Sequence, residues 1–521
     1  MNGKISNKRS GGRGARVAKR MAPQPLEERA VRAGLSGGSF RPLSDSQMQQ
    51  IFESSLELLE DVGMAQAIPE FIDLVTSNGG TFTSDQRLLF PKNLVKSMID
   101  EAAKEFTLYG FESKHNLTIG GDRVHFSTGG AAVLILDHET STFRDSQLQD
   151  IFNAGRIISS LDNIHIYVRT VVARDMESSR DLDFNTAYAV MSSTTKPIGT
   201  SFFHPDHVHE ISQMFNIALT GDPEADEFRK RPFCIANNTF VVPPLRFAEE
   251  STLCMAEQVR VGMPINLLSA GQAGATSPAV LAGSLTQALA ECLAALTCVN
   301  LLSPGHPCVM GMWPFVSDLR TGAMSGGSGE EGVLNASAAQ IVNWLGLPSG
   351  VAAGMADSKL PDNQAGHEKG TTVTLAAQAG ANIVYESAGM LGSLLGCSLE
   401  SLIIDNDMLG SIARTVRGIE VNEDTMSVAV IKDVIKGDGH FLGHSQTLNV
   451  MQTEYVYPIV GDRLSPDDWK DAGSLDVRDR AYTKVKEILE GPMPNHISTE
   501  ADLMIKKMFP IRLDGYNQSG S

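Results

Sequence analysis

Eight short apolar runs alternate with helical patterns through the middle of this chain. Apolar runs without polar alternation are typical of parallel strands that are buried on both faces, and polar residues directly after them are typical of functional loops. The runs begin at Ile164, Pro197, Phe233, Pro264, Pro307, Pro348, Asn382 and Ser401. Strands that alternate with helices indicate βαβ units. Eight such units predict an α/β fold with a closed (β/α)8 TIM barrel, which we place at residues 161–416 as the catalytic domain.

The segments on either side of the predicted barrel carry other patterns. Residues 41–160 combine apolar residues at helical spacing with two hairpin patterns, LTIGGDRVHF and AVLILDHETSTF, so we predict an N-terminal α+β extension. Residues 417–512 have helical and turn patterns and predict a C-terminal helical extension packed on the barrel. The last residues, 513–521, are predicted to form a tail.

Charge is distributed unevenly, with a basic beginning and an acidic remainder. The net charge is -18, although the first 32 residues hold nine Lys or Arg residues against two Glu residues. An acidic chain lacks the clustered cations that phosphate binding requires, so no nucleic-acid partner is expected. We predict that residues 1–40 form a basic flexible arm, which either binds a partner or lies over an acidic neighbour in an oligomer.

The composition is that of a globular protein from a reducing compartment. Hydrophobic residues make up 42% of the 521 residues and charged residues 20%, which permits a large core. No apolar run reaches the ~18 residues that a bilayer span needs, and the basic beginning lacks the apolar segment of a secretory signal. Six scattered cysteines without a CxxC pair are typical of a reducing environment. We therefore predict a cytoplasmic protein without a membrane segment.

Aromatic, amide and carboxylate side chains follow the predicted strands, where TIM barrels have their active sites. A quaternary ammonium donates no hydrogen bond and is bound by aromatic faces and nearby carboxylates, so this mixture predicts such a ligand. Alternatively, the aromatic residues pack in the barrel and Glu386 pairs with Lys359 or caps a helix. The predicted substrate-binding residues are Phe202, Phe203, Asn238, Gln272, Trp313, Lys359, Tyr385 and Asp405. The predicted catalytic residues are His367, Glu386 and Asp357.

Three other motifs are weak signals of metal or nucleotide binding. HFLGH places His440 and His444 four residues apart, but a Phe stands where zinc proteases have their general-base Glu. The histidines His204, His207 and His209 are close together without an accompanying carboxylate pattern. MSGGSGEE lacks the Lys and Ser/Thr of a P-loop, and no GxGxxG follows a strand. We therefore predict no tightly bound metal or nucleotide.

Four longer motifs together resemble the trimethylamine methyltransferase family. They are WPFVSDLRTGAMSGGSGEE, GMADSKLPDNQAGHEK, NIVYESAGM with IIDNDMLG, and GHFLGHSQTL. The resemblance extends from Arg41 to Arg512. It implies a TIM barrel that transfers a methyl group from a methylated amine to the Co(I) corrinoid (cobalamin) of a separate carrier protein, and it implies self-association into a homo-oligomer.

The chain departs from the archaeal members of that family, which carry pyrrolysine in the barrel, because it is written wholly in the twenty standard residues. We expect the position of pyrrolysine in the loop from Asp357 to Glu368. The branch without pyrrolysine resembles enzymes that demethylate quaternary amines such as glycine betaine, proline betaine or carnitine. When a nucleophile takes a methyl group from a quaternary ammonium, the amine leaves neutral and needs no proton, so orientation of the methyl group dominates catalysis.

We expect aromatic and amide groups to form most of the cation site, because a close carboxylate would stabilise the bound cation more than the transition state. The carboxylate of a betaine would need hydrogen-bond donors. The candidates for this role are Gln272, Asn238, His367 and Lys359. Two other functions stay open. One is a metal-dependent barrel lyase or hydrolase that uses His204 and Asp405, and the other is a non-catalytic betaine-binding protein.

Overall fold

Eight parallel strands form a barrel at the centre of the computed structural model, which describes residues 41–437, 439–442, 444–450 and 454–513. The strands of the described residues are β1 (Met64–Ala65), β2 (Thr81–Phe82), β3 (Arg87–Leu89), β4 (Glu105–Leu108), β5 (Leu117–Gly120), β6 (His125–Phe126), β7 (Leu134–Asp137), β8 (Thr142–Asp145), β9 (Tyr167–Val168), β10 (Ile198–Thr200), β11 (Cys234–Ala236), β12 (Ile265–Ser269), β13 (Gln272–Ala273), β14 (Cys308–Met312), β15 (Phe315–Val316), β16 (Ser349–Ala352), β17 (Ile383–Tyr385), β18 (Met390–Leu391) and β19 (Gly396–Cys397). The barrel sheet has the order β6-β17-β16-β14-β12-β11-β10-β9.

The two ends of this sheet meet and close the barrel. Strand β17 pairs in parallel with β6, with Ile383 opposite His125. On the other side of β6, a parallel bridge joins Ser127 to Ile166, one residue before β9. The predicted α/β fold with a (β/α)8 barrel is therefore confirmed.

One of the eight predicted strands is wrong. The run that begins at Ser401 lies in the helix Leu399–Arg417, because its apolar residues continue at helical spacing and Ser398 Oγ caps the helix. The missing barrel strand is β6, inside LTIGGDRVHF, where the sequence predicts a hairpin. That hairpin prediction is also wrong, since β5 pairs with β4 instead. The second predicted hairpin is confirmed by β7 and β8, with Leu134 opposite Asp145.

Helices surround the barrel and fill both extensions. In the described residues they are Asp45–Asp61, Pro69–Ser77, Lys92–Glu101, Leu148–Ser159, Ser179–Ser193, Pro205–Thr220, Glu227–Lys230, Glu249–Arg260, Leu281–Leu302, Gly329–Trp344, Asn363–Gln378, Leu399–Arg417, Val428–Lys436, Ser445–Val450, Pro466–Asp471, Val477–Glu490 and Thr499–Met508, with one 3-10 turn at Ser113–His115. All six cysteines are buried free thiols.

The helix Leu281–Leu302 is the most apolar of the described helices that reach the length of a bilayer span. By length and composition it could cross a membrane, which the sequence analysis does not anticipate, but 83% of its apolar window is buried inside the protein. It packs against β12, β14 and the helix Asp45–Asp61. Its apolar surface is therefore covered by the protein's own core.

The C-terminal extension packs on the outside of the barrel. The helix Val477–Glu490 contacts Leu148–Ser159 and Leu399–Arg417, and the helix Thr499–Met508 contacts Pro205–Thr220. The domain boundaries stay a prediction, although the first barrel strand, β6, begins within the segment that we assign to the N-terminal extension. The predicted arm at 1–40 and all of the predicted tail except Leu513 lie outside the described residues.

Candidate active site

A cavity of about 470 Å³ opens at the carboxyl ends of the barrel strands. Six different strands each contribute a residue from their carboxyl end to its wall, namely Arg169, Ser201, Asn237, Ala270, Trp313 and Glu386. A larger cavity, of about 910 Å³, lies beside His165 and Lys196, which precede their strands. Because TIM barrels have their active sites at the carboxyl ends, we take the smaller cavity as the candidate active site.

The structure brings five of the predicted site residues together in this cavity. They are Phe202, Phe203, Asn238, Trp313 and Glu386. Tyr385 is fully buried in the barrel and packs on Trp313, with ring centroids 5.2 Å apart. Aromatic side chains therefore form part of the cavity wall, and Tyr385 extends the packed layer next to it.

The predicted residues Asp357, Lys359 and His367 do not line the cavity. The carboxylate of Asp357 accepts hydrogen bonds from Ser325 Oγ and Gly326 N, both at 2.8 Å, and so holds the Gly-rich loop. Lys359 is exposed and donates from Nζ to the Asp357 carbonyl oxygen at 2.7 Å. His367 is exposed in the first turns of its helix, with Nδ1 3.2 Å from a carbonyl oxygen one turn earlier. Their predicted roles, and the position predicted for pyrrolysine, stay predictions.

Asp405 and Gln272 also lie outside the cavity wall. Asp405 is buried, and its Oδ2 accepts hydrogen bonds from Lys369 Nζ at 2.6 Å and from Gly389 N at 2.8 Å. Because Gly389 belongs to the loop that follows β17, the buried ion pair fixes the loop that carries Glu386. Gln272 is half-buried in β13, which pairs with β15.

Glu386 combines an unusual backbone with an unsatisfied side chain. Its φ of 60° lies in the left-handed region, which residues other than glycine seldom adopt. The side chain is buried, and neither carboxylate oxygen has a hydrogen-bond partner among the described residues. Burial raises the pKa of Glu386 to about 8, although the charge of Arg169 opposes this effect. Backbone strain and a perturbed carboxyl in one cavity are typical of a functional site.

Two glycines that the sequence analysis misses make room for this carboxyl. A Cβ on Gly129 would lie 3.1 Å from Glu386 Oε1, and one on Gly130 would lie 2.9 Å from Oε2. Gly130 also has a φ of 102°, a conformation that is open to glycine and costly for other residues. The signal in the sequence is the glycine pair shortly after His125 and Phe126.

Arg169 is another residue of the candidate site that the sequence analysis misses. It directly follows β9 and is the one cation among the described residues that line the cavity. Its Nη2 donates to Ser201 Oγ at 3.2 Å, and Ser201 Oγ in turn donates to the carbonyl oxygen of Asn237 at 3.0 Å. This arrangement orients the guanidinium while most of its five N–H donors remain available. The signal in the sequence is a lone arginine inside the apolar run IHIYVRTVV.

Two polar groups hold the aromatic residues that follow β10. Asn238 accepts from Phe202 N at 3.2 Å and donates to Phe202 O at 2.6 Å. Asp183 Oδ2 accepts from Phe203 N at 2.8 Å and bonds to His207 Nδ1 at 2.7 Å. The Asn238 amide is therefore used by the protein backbone. Phe202 is buried as a result, whereas Phe203 is 51% exposed at the mouth of the cavity.

The histidines that suggest a metal site do not converge on the cavity. His204 caps its helix by accepting a hydrogen bond from Asp206 N at 3.3 Å, and His207 pairs with Asp183. In the part of the chain that the structure describes, no three His, Cys, Asp or Glu side chains are grouped so that they could hold a metal ion. Neither His204 nor Asp405 lines the cavity, so the metal-dependent alternative lacks the joint site that it requires.

Comparison with known proteins relates this barrel to named enzymes. A family model described as trimethylamine methyltransferase (MTTB) matches residues 9–509. A trimethylamine methyltransferase from Desulfitobacterium hafniense is 31% identical over 476 residues, which cover 90% of this chain and 94% of that protein. A trimethylamine methyltransferase from Methanosarcina mazei is 32% identical over 483 residues, which cover 91% of this chain and 94% of that protein.

A glycine betaine methyltransferase from Desulfitobacterium hafniense is 27% identical over 467 residues, which cover 90% of this chain and 96% of that protein. Among solved structures, a dihydropteroate synthase from Xanthomonas albilineans aligns with 60% of this chain and all of its own at 11% identity, with a TM-score of 0.36. The named relatives are methyltransferases, which confirms the predicted enzyme class. The chain therefore belongs to the trimethylamine methyltransferase family, as its motifs predict.

Proposed function

We propose that this chain transfers a methyl group from a quaternary methylated amine, such as glycine betaine, to the Co(I) corrinoid of a separate carrier protein. The observation that carries the proposal is the cavity in which Trp313 and Phe202 lie with the unpartnered carboxyl of Glu386. Aromatic faces with a nearby carboxyl suit a cation that donates no hydrogen bond. Membership of a methyltransferase family supports the reaction type, and a glycine betaine methyltransferase among the relatives supports the substrate type.

In the proposed reaction, the methyl carbon leaves the substrate nitrogen and bonds to the cobalt of the carrier's corrinoid. The nitrogen keeps both electrons of the broken bond, and the new bond uses the electron pair of Co(I). The amine departs neutral, so no proton moves at the reacting atoms. The chain contributes orientation, because alignment of the reacting atoms removes much of the entropic barrier.

The Trp313 ring in the cavity wall is held rigid by packing. The ring of Trp313 lies 5.2 Å from the ring of Tyr385 and 6.3 Å from that of Phe315. Trp313 is only 6% exposed, and its Nε1 has no hydrogen-bond partner among the described residues. A ring that is locked by its neighbours presents its face without losing conformational entropy when the substrate binds.

The cavity wall includes residues that are exposed to solvent. Phe203 and Glu250 both line the cavity and are exposed at its mouth. We propose this exposed part of the wall as the approach for the carrier protein, because the corrinoid is a co-substrate that has to enter and leave with each methyl group. That a separate carrier protein presents the corrinoid is itself part of the proposed function.

The proposal includes self-association and a cytoplasmic location. Four apolar side chains of the C-terminal extension are between 74% and 87% exposed, namely Ile419, Val421, Ile435 and Leu442. We take these exposed apolar side chains as support for an interface between copies of this chain, since contiguous apolar surface marks interaction sites. Sedimentation analysis of the purified protein measures its oligomeric state.

The test is a methylation assay with free cob(I)alamin and a panel of quaternary and tertiary amines. We expect conversion of cob(I)alamin to methylcobalamin with a quaternary amine, at a higher rate than with trimethylamine. As a check on the site, Trp313→Ala is expected to raise KM by about 30-fold, since a desolvated cation–π contact contributes about 2 kcal/mol. Binding of a betaine without any methylation would indicate the non-catalytic alternative, and neither binding nor methylation would overturn the proposal.

A further inference from the structure

Arg169 and Glu386 face the same cavity without neutralising each other. Both side chains line the cavity, and their charges interact electrostatically. Because neither Glu386 oxygen has a hydrogen-bond partner among the described residues, the Arg169 guanidinium does not bond to them. A cation and a carboxyl that share one site and stay unpaired form a receptor for a ligand with both charges.

No protein carboxylate hydrogen-bonds to the guanidinium among the described residues. Asp183 is the other acid whose charge acts on Arg169, but its Oδ2 is bonded to Phe203 N and to His207 Nδ1. The hydrogen bond of Arg169 to a side chain goes to the neutral hydroxyl of Ser201. Because a partly buried guanidinium without an anion is costly, an anion from outside the chain would complete the site.

We propose that Arg169 binds the carboxylate of the substrate and selects zwitterionic quaternary amines over purely cationic ones. The inference rests on the proposed methyl transfer at this cavity and adds the residue that recognises the carboxylate of the substrate. The quaternary nitrogen lies toward Glu386 and the aromatic wall, and the carboxylate lies on the guanidinium. Arg169 is thereby a specificity-determining residue.

The other donors considered for the carboxylate are engaged or distant. The Asn238 amide is bonded to the Phe202 backbone. Gln272, Lys359 and His367 do not line the cavity. Arg169 has the planar array of N–H groups that binds a carboxylate through two hydrogen bonds, so it fits the role by chemistry as well as by position.

The same residue works against substrates that lack a carboxylate. A purely cationic amine would place its positive charge in a cavity of about 470 Å³ together with the guanidinium. Like charges in a partly desolvated site repel each other more strongly than in water. A carboxylate on the ligand removes this repulsion, so the selectivity has an attractive and a repulsive component.

The experiment compares glycine betaine with choline, which has the same trimethylammonium group and a hydroxyl in place of the carboxylate. Binding is measured by calorimetry and methyl transfer by the cob(I)alamin assay, on the full-length protein and on Arg169→Gln and Arg169→Lys. We expect Arg169→Gln to lower kcat/KM for glycine betaine by about 10- to 100-fold, the value of a lost charge-assisted hydrogen-bond pair. The kcat/KM for choline should stay the same or rise. The kcat/KM of Arg169→Lys for glycine betaine should lie between those of the unmodified protein and Arg169→Gln, because lysine keeps the charge and loses the bidentate geometry.

Two controls separate this result from loss of fold or of net charge. Arg41→Gln removes the same charge from an exposed residue, and we expect it to match the unmodified protein with both substrates. The unmodified protein should itself bind glycine betaine at least about 10-fold more tightly than choline, a measurement that needs no variant to fold.

The possible outcomes distinguish a failure of the proposed carboxylate site from a failure of the proposed methyl transfer on which it rests. Equal affinity of the unmodified protein for the two ligands, or an equal loss with both substrates in Arg169→Gln, would overturn the carboxylate site while methyl transfer stands. Absence of methyl transfer with every amine would overturn the proposed function instead.

Discussion

Replacing Glu386 with glutamine should abolish the pH dependence of substrate binding. Burial raises the pKa of Glu386 to about 8. At pH 7 only about one-tenth of the protein then carries the ionised carboxylate, and at pH 6 about one-hundredth. A ligand that binds the ionised form has an apparent affinity proportional to that fraction. Affinity for a quaternary amine should therefore increase about 50-fold from pH 6 to pH 8 and level off at higher pH.

The assay is calorimetric titration with glycine betaine between about pH 6 and pH 9. In Glu386→Gln the affinity should be flat over this interval, because an amide does not titrate there. The variant should bind more weakly than the unmodified protein, by a factor that grows from pH 6 to pH 8 as the carboxylate ionises. Glu57→Gln, which changes the same residue type on an exposed helical surface, should keep the pH dependence. A flat profile in the unmodified protein, or an unchanged slope in Glu386→Gln, refutes the reasoning.

The same carboxyl should make the fold less stable as the pH rises. Its pKa increases from the usual 4.5 to about 8 on folding. Between pH 4.5 and pH 8 the native state holds the proton that the unfolded state has released. The contribution of this carboxyl to the free energy of unfolding is therefore fully present below pH 4.5 and is lost progressively up to pH 8. The loss amounts to about 5 kcal/mol, an upper estimate because the group borders a cavity that admits water. Denaturant unfolding should show Glu386→Gln more stable than the unmodified protein near pH 8 and equal to it near pH 4.5.

Steady-state kinetics distinguish a binding role of Glu386 from a role in the transition state. The substrate nitrogen loses its positive charge as the methyl group leaves, so an ionised carboxylate stabilises the bound substrate more than the transition state. Glu386→Gln should raise KM and leave kcat unchanged or slightly higher. A variant with a lower kcat and an unchanged KM would instead show that the carboxyl acts in the transition state.

Two further substitutions test how the protein holds this carboxyl. Gly130→Ala should lower activity and destabilise the fold by about 1–3 kcal/mol, since the added Cβ meets Glu386 Oε2. Gly322→Ala measures the backbone cost alone in the same denaturation experiment, because its φ is also positive but no atom of the described residues lies within 4 Å of the added Cβ. Lys369→Met should destabilise the protein by about 3–5 kcal/mol in denaturant unfolding, because Asp405 is left buried without its cation. An additional Asp405→Asn change should recover part of that loss, and no recovery would contradict the ion-pair explanation.

The barrel could be predicted because its strands are buried on both faces and read as apolar runs. The run at Asn382, for example, becomes β17 and ends at the cavity with Glu386. Strand β6 was not predicted because it has only two residues, His125 and Phe126, which is too short to show an apolar run. The run at Ser401 was wrongly predicted as a strand. A few apolar residues followed by Asp405 occur both at the end of a buried strand and in the first turns of a buried helix.

The site could be predicted only as far as strand ends determine it. Trp313 and Glu386 follow their strands directly, so the barrel topology alone places them at the cavity. Asp357 lies in the loop after β16 and His367 in the helix that follows that loop, where sequence does not determine on which side the chain turns. Arg169 was missed because a single arginine in an apolar run was taken as part of the strand, although a charge at that position has to lie at the open end of the barrel.

A carboxyl that rests neutral suits the charge change of the proposed reaction. An ionised, hydrogen-bonded carboxylate would hold the cationic substrate tightly and oppose its conversion into a neutral amine. No hydrogen bond from the described residues fixes the charge of the Glu386 carboxyl. Its pKa of about 8 lies close enough to neutrality for the substrate cation to draw out the proton on binding. When the methyl group has left, the cation that stabilised the carboxylate is gone, and the same burial favours return of a proton from solvent. The charge of the cavity therefore changes with the charge of the bound molecule. The left-handed backbone at Glu386 is a strained conformation that holds the carboxyl in the cavity, where it can gain and lose this proton.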